Sequence, residues 1–312
     1  MEDCLNKLVS VIIVNGGVKD YLSDCLKSVK EQSYARLQTI VIDNSLKPQF
    51  SQRMRQNFPW AQFYSEPNNL YYSDSLNKGI KLSQGDFILC LNDDVVLEKN
   101  FIQEGLKIFQ ARDNVGMVSG KILRMDKLTL DSTGLFLSVW RTAKERGYGR
   151  FDRGQYEKGG FVFGVSGAAA FYRKDMLENI KEGDNYFDPD FRMFYEDLDV
   201  SWRANKCGWK AFYVPSAIAY HVRGGSFRPD AGIGKAIARK YLNDELHCDL
   251  VKNRYLTMLK NETFASFILH LIPIAFYDLC AWIFILLLRP KVAKLFFFKA
   301  SYLFRKKKLL SH

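Results

Sequence analysis

Asp86-Phe87-Ile88-Leu89-Cys90-Leu91-Asn92-Asp93-Asp94 is an apolar run that stops on an amide and two carboxylates. A short apolar stretch bounded by polar residues reads as a buried strand. Upstream the pattern repeats. Leu8 to Val14 runs into Asn15-Gly16-Gly17, Thr39 to Ile42 runs into Asp43-Asn44, and Ala61 to Tyr64 gives a further short strand. Between them, Tyr21 to Gln32 places Leu22, Cys25, Leu26 and Val29 at helical spacing, and Asp74 to Ser83 predicts another helix. This alternation predicts an α/β fold with a Rossmann-like, mainly parallel central sheet flanked by helices. Ligands of such sheets bind beyond the carboxyl ends of the strands, where Asn15, Asp43 and Asp94 fall.

The second half is less regular. Arg141 to Gly160, rich in Gly, Arg and Lys, reads as a mobile basic loop able to fold over an anion. Phe161 to Tyr172 is strand-like but interrupted by Gly164 and Gly167. Glu196 to Cys207 predicts a helix closed by Gly208, followed by short strands at Ala211–Val214 and Ala217–His221. Lys235 to Lys260 predicts a helix of mixed charge.

Three groups of side chains have the chemistry for a site. Carboxylates at Asn92-Asp93-Asp94 are hard oxygen ligands suited to Mg²⁺ or Mn²⁺, and equally serve as a polar strand end. Glu196, Asp197 and Asp199 open a helix; the spacing puts Glu196 and Asp199 on one face and turns Asp197 elsewhere. One of these carboxylates can take a proton from an attacking hydroxyl, although acids in a first turn also suit the helix dipole without any chemistry. His221 ends a strand beside Gly224-Gly225 and can complete a metal site, and Arg223 or Arg228 can meet phosphate.

The formal net charge of the 312 residues is +11, but eight basic residues and no acids follow Leu288, leaving +3 for the rest. That distribution argues against nucleic acid as a partner. Six scattered cysteines and an amino terminus without a secretory pattern predict a reduced, cytoplasmic catalytic portion. Phe264 to Leu288 is apolar over about 25 residues, interrupted by His270, Pro273 and Asp278 and basic at both flanks. Long enough to span a bilayer, it is charged as expected for a hairpin or interfacial helices with both ends cytoplasmic. The Lys/Arg and Phe/Leu alternation that follows suits an anionic lipid surface. A buried helix hairpin or a dimer contact is the alternative.

The ordered set Val9 to Asn15, Ile40 to Asn44, Leu91 to Asp94, Gly167-Ala168, Phe187 to Arg203 and Val214-Pro215 to Ser226 resembles the family 2 glycosyltransferases. Arg146-Gly147, Asp152 and Gly154-Gln155-Tyr156 resemble the bacterial rhamnosyltransferase-type branch. The resemblance implies a GT-A fold and inverting transfer of a sugar, a deoxyhexose such as rhamnose, from a nucleotide-sugar donor to a glycan or lipid-linked saccharide. It implies that Asn15 and Asp43 contact the nucleotide, that Asp94 and His221 bind a divalent metal (Mg²⁺ or Mn²⁺), and that Asp197 is the general base. Asn92, Asp93, Gly167, Glu196, Asp199 and Arg223 then bind substrate or support the helix. Gly16-Gly17 and Tyr71 depart from the family pattern beside the expected nucleotide pocket.

The expected organisation is a donor half at residues 1–125, an acceptor half carrying the base at 126–230, a helical region at 231–262 and a membrane-associating segment at 263–312 on the cytoplasmic leaflet of a bacterial inner membrane. A sugar nucleotidyltransferase and a non-catalytic glycan-binding protein that keeps the fold are the competing readings.

Overall fold

The computed structural model describes residues 6–17, 21–222 and 242–310. Its first half alternates as predicted. Strands β1 (Val9–Asn15), β2 (Leu37–Asp43), β3 (Gln62–Ser65) and β4 (Phe87–Asn92) are parallel in the order β4-β1-β2-β3, joined through helices α1 (Leu22–Lys30), α2 (Pro48–Asn57) and α3 (Tyr72–Leu82). Side chains alternate across a strand. Val9, Val11 and Ile13 therefore enter one core with Leu22, Cys25, Leu26 and Val29 of α1. Ile12 and Val14 enter the other with Leu76 and Ile80 of α3.

Beyond β4 come β5 (Val95–Leu97), α4 (Phe101–Ala111), β6 (Val115–Arg124), β7 (Leu130–Ser132), β8 (Leu135–Leu137), β9 (Ala143–Glu145), β10 (Gly160–Val162) and β11 (Ala169–Arg173). Then follow α5 (Lys174–Ile180), α6 (Glu196–Lys206), β12 (Lys210–His221), α7 (Asp244–Asn261), α8 (Phe264–Leu269), α9 (Leu271–Leu288) and α10 (Pro290–Leu310). One sheet runs through both halves in the order β10-β12-β6-β11-β4-β1-β2-β3, with β5 on β12 and β7 on β6. β11 lies antiparallel between β4 and β6, and its Phe171 packs with Phe87 and Phe109 at ring-centroid distances of 6.2 and 5.1 Å.

Several expectations change. Phe161 to Tyr172 is two strands with different partners, because the chain turns away between Gly164 and Gly167 to pass the site. The two short strands expected after Trp209 are one: β12 pairs with β6 throughout, and its register shifts between Val214 and Ile218 around Pro215, which has no N–H for the ladder. Arg141 to Gly160, expected to be mobile, is tied down. Arg146 donates to the Thr133 carbonyl and Oγ1 at 2.9 Å and lies over the rings of Tyr156 and Tyr213. The apolar segment is divided at His270 into α8 and α9. Within α9 the buried residues are Ile274 and Ile285, and it is the one helix among the described residues long and apolar enough to cross a membrane. Residues 235–241 of the predicted mixed-charge helix lie outside the described residues.

Helix α3 lies close on β1 because Gly79 has no side chain; a Cβ there would stand 2.3 Å from Ile12 Cγ2. Overpacking of this kind costs about 1–3 kcal/mol. Gly79→Ala is expected to lower the urea unfolding midpoint by a corresponding amount, and an unchanged midpoint would show that α3 does not sit against Ile12.

Candidate active site

The carboxyl ends of β1, β2 and β4 form one rim. Asn15 and Asp43 are buried there, with Asn15 Nδ2 donating to Asp43 Oδ1 at 2.8 Å. Asp43 also accepts from the Ser45 N–H (3.0 Å) and the Ser51 hydroxyl. Asn44 donates to the Leu70 carbonyl at 2.9 Å and to Ser75 Oγ at 2.8 Å, which fixes the chain entering α3. The departures from family pattern have local causes. Gly17 takes φ +65°, and a Cβ on it would stand 2.2 Å from Ser45 Cβ, so only glycine lets these turns cross. Tyr71 is exposed at the rim under the Arg192 guanidinium, 3.7 Å from its ring centroid.

Asp93 and Asp94 have different tasks. Asp93 accepts the Gly16 N–H at 3.0 Å; burial first, then the charge of Asp94, pushes its carboxyl up to about 7. Asp94 Oδ1 faces His221 Nε2 at 3.2 Å, and His221 Nδ1 is 2.8 Å from Asp131 Oδ2. Burial opposes a charged imidazole, but Asp94 and Asp131 outweigh it and hold the His221 pKa at about 10.

Asp94 and His221 fit a divalent cation. They present one oxygen and one ring nitrogen to the same place, and Asp131 on the far nitrogen is the usual support of a metal-binding imidazole. Among the described residues no three His, Cys, Asp or Glu side chains converge into a closed cage. Two protein donors leave positions for water and further oxygen ligands, as Mg²⁺ and comparable hard ions prefer.

The third part of the site is the start of α6. The chain enters it through Arg192, Phe194 and Tyr195, non-glycine residues with φ of 60°, 71° and 69°. Such backbone is strained and needs outside support. Asn253 of α7 supplies it: its Nδ2 lies 2.7 Å from each of the carbonyl oxygens of Phe191, Met193 and Phe194. The helix then opens against Gly167, whose N–H donates to Asp197 Oδ2 at 2.9 Å. A Cβ on Gly167 would meet Asp197 Oδ2 at 3.3 Å and Glu196 Oε1 at 3.6 Å. Glu196 and Asp197 thus converge, whereas spacing had paired Glu196 with Asp199. Asp199 is fully buried and accepts from Arg203 (2.9 Å), Lys260 (3.3 Å) and Asn261 (2.7 Å). It anchors α6 to α7.

Tyr72 joins the two carboxylate sets. Its hydroxyl is 2.7 Å from Asn92 Oδ1 and 3.0 Å from the Gly167 carbonyl oxygen. Asp94, Asn92, Tyr72, Gly167 and Asp197 are therefore linked along one rim. Tyr72, Asp131 and Asn253 escaped the sequence reading because each is defined by a distant contact. The acid in Leu130-Asp131-Ser132-Thr133-Gly134 was the one local signal. Arg223 and Arg228, expected to meet substrate, lie outside the described residues.

A family model described as "Glycosyltransferase like family 2" matches residues 6–237. The chain belongs to glycosyltransferase family 2. This family 2 enzyme is 27% identical to an N-acetylglucosaminyltransferase of Mesorhizobium japonicum over 67% of its own length and 49% of that protein's. It is 23% identical to a poly-β-1,6-N-acetyl-D-glucosamine synthase of Staphylococcus aureus over 64% and 46%. The chain thus spans about half the length of these curated relatives. In fold it resembles GalNAc-T7, crystallised with UDP, GalNAc and Mn²⁺ (TM-score 0.59, 12% identity, 81% of this chain and 47% of that one). It also resembles the Pyrobaculum calidifontis mannosyltransferase PcManGT in complex with GDP-Man and Mn²⁺ (TM-score 0.56, 14% identity, 98% and 81%). The α/β fold is that of these GT-A structures.

Glu196 in this family 2 site yields a pH test. Burial first, then the charge of Asp197, raises its pKa from 4.5 to about 8, and its Oε2 has no hydrogen-bond partner among the described residues. The folded state therefore binds a proton that the unfolded state has released, and stability falls as pH rises from about 4.5 toward 8. Glu196→Gln keeps the shape without the ionisation. It is expected to raise Tm relative to the unaltered chain at about pH 8.5 and to leave it nearly unchanged at about pH 4. Equal Tm differences at both pH values would rule out the proton-holding Glu196.

Proposed function

We propose that this enzyme is an inverting, metal-assisted transferase that moves a sugar from a nucleoside-diphosphate donor to a hydroxyl of a lipid-linked or cell-surface glycan. The observation that supports this reading is the rim on which Tyr72 and Gly167 join Asp197 to Asn92, two residues before the Asp94 that faces His221. Asn15, Asp43 and Asn92 receive the nucleotide end of the donor, and Arg223 meets phosphate. Asp197, oriented by the Gly167 N–H, takes the proton of the acceptor hydroxyl as its oxygen bonds to the anomeric carbon and the bond to diphosphate breaks on the opposite face. Glu196 keeps its proton near neutral pH, so it does not put a second negative charge beside the base. Asp94 and His221 would hold a divalent cation, which would supply positive charge against the departing diphosphate.

Two donor sugars are in view. The Arg146–Tyr156 segment favours a deoxyhexose such as rhamnose, and the names of the curated relatives favour an N-acetylhexosamine. Thermal stabilisation by a panel of nucleoside diphosphates and their sugars, with and without Mn²⁺, separates these readings, since a ligand of the native state raises its stability. A Mn²⁺-dependent shift for one donor, lost in Asp94→Ala, is the expected result. With that donor, Asp197→Asn is expected to lower kcat roughly 10²–10⁴-fold with little change in donor KM. A fully active Asp197→Asn removes the base assignment. No shift with any nucleotide favours a non-catalytic glycan-binding role.

The carboxyl-terminal helices complete the proposal. Phe264, Ile272, Leu287 and Phe298 are exposed and apolar, and Lys291 and Lys294 are adjacent in sequence. We infer that α8 to α10 rest in the cytoplasmic leaflet of a bacterial inner membrane, near a lipid-anchored acceptor. Ile272→Glu combined with Leu287→Glu is expected to abolish flotation with anionic vesicles while leaving the unfolding transition of the chain unchanged. Undiminished flotation would count against lipid contact through this face.

A further inference from the structure

We propose that Asp131 is a positioning residue: it orients His221 so that Nε2 is presented beside Asp94 for the divalent cation. This inference rests on the metal-assisted reading above. It concerns an acid that contacts neither the reacting atoms nor the expected cation, and whose role is to settle which ring nitrogen faces the site.

The geometry is specific. Asp131 is fully buried, its Oδ2 is 2.8 Å from His221 Nδ1, and His221 Nε2 is 3.2 Å from Asp94 Oδ1. One imidazole thus spans two carboxylates from chain segments far apart in sequence. An ionised carboxylate can only accept, so the nitrogen facing Asp131 carries the hydrogen, and in the neutral ring the lone pair is left on Nε2.

The carboxylate is itself held. Its Oδ1 is 3.9 Å from Arg124 Nε, and Arg124 lies over the Tyr148 ring at 5.1 Å. β7 and β12 both pair with β6, which sets the places of Asp131 and His221 by strand register. The segment before β8 is fastened as well: the Leu130 N–H donates to the Arg150 carbonyl and the Gly149 N–H to the Leu130 carbonyl, each at 2.8 Å. Part of the basic segment expected to cover an anion therefore braces the support of the histidine.

The test is a titration of the full chain with Mn²⁺ alone, following free Mn²⁺ by electron paramagnetic resonance. Asp131→Asn preserves size but can offer His221 only a neutral oxygen, or an N–H that favours the opposite tautomer. Loss of an outer-shell partner typically weakens metal affinity about 10–100-fold, and that loss in a variant that still unfolds cooperatively is the expected result. Wild-type affinity in Asp131→Asn, with affinity lost in Asp94→Ala, overturns the role of Asp131 and leaves the metal reading standing. Absence of Mn²⁺ binding by the unaltered chain overturns both. A second measurement needs no folded variant. In the unaltered chain labelled with ¹⁵N-histidine and saturated with diamagnetic Mg²⁺, which leaves a single hydrogen on the ring, a slowly exchanging Nδ1–H signal is expected for His221, and a hydrogen on Nε2 instead overturns the proposal.

Discussion

An imidazole buried between two carboxylates is the interaction around which the site is built. Asp131 is fully buried beside Arg124 and Asp94 is only partly exposed, so both negative charges draw on what His221 offers. Their combined pull keeps a proton on the ring despite burial, which makes the histidine a cationic bolt between three segments of the sheet. A divalent ion at Asp94 would take over the electrostatic task of the Nε2 proton. The arrangement is thus already neutralised in the form that lacks a metal, and it has the donor atoms for the form that carries one.

The carboxylates at the start of α6 depend on a different constraint. Tyr195 and the residues before it adopt backbone that a free chain avoids, and α7 holds them there. α7 is unusual in burying polar side chains on more than one side. Lys260 and Asn261 reach Asp199 on α6, while Arg254 pairs with Asp278 of α9 and Asp249 with Lys299 of α10. Buried ion pairs contribute little net stability but penalise mismatched docking heavily. These contacts therefore fix where the apolar helices sit relative to the start of α6 more than they strengthen the fold.

Much of the first half was legible because its signals are local. Apolar runs ending on Asn15, Asp43 and Asp94 identify both the strands and the rim, and Gly208 marks the end of α6. The region from β5 to β7 was not legible. Two of these strands are three residues long, and β6 includes Gly116, Ser119, Gly120 and Lys121, so no clear period stands out. The orientation of Glu196, Asp197 and Asp199 was misjudged for another reason. Helical spacing says which residues neighbour one another, but the direction in which the first turn faces is set by Gly167 and by the strained entry that Asn253 holds. Asp131 combines both difficulties, since its partner is a histidine on another strand, 90 residues away.

The register shift in β12 has a consequence for how this chain can vary. Val214 stands opposite Gly120 and the next pair is Ile218 with Lys121, so three residues of β12 are looped out against none of β6. A strand turns its side chains over with every residue, and the count of the bulge therefore decides which way His221 points. Pro215, Ser216 and Ala217 act as a spacer whose length has very little latitude, and composition can vary at Pro215 and Ser216 but not at the fully buried Ala217. Relatives that keep the histidine should tolerate substitutions at Pro215 and Ser216 far better than a single-residue insertion or deletion.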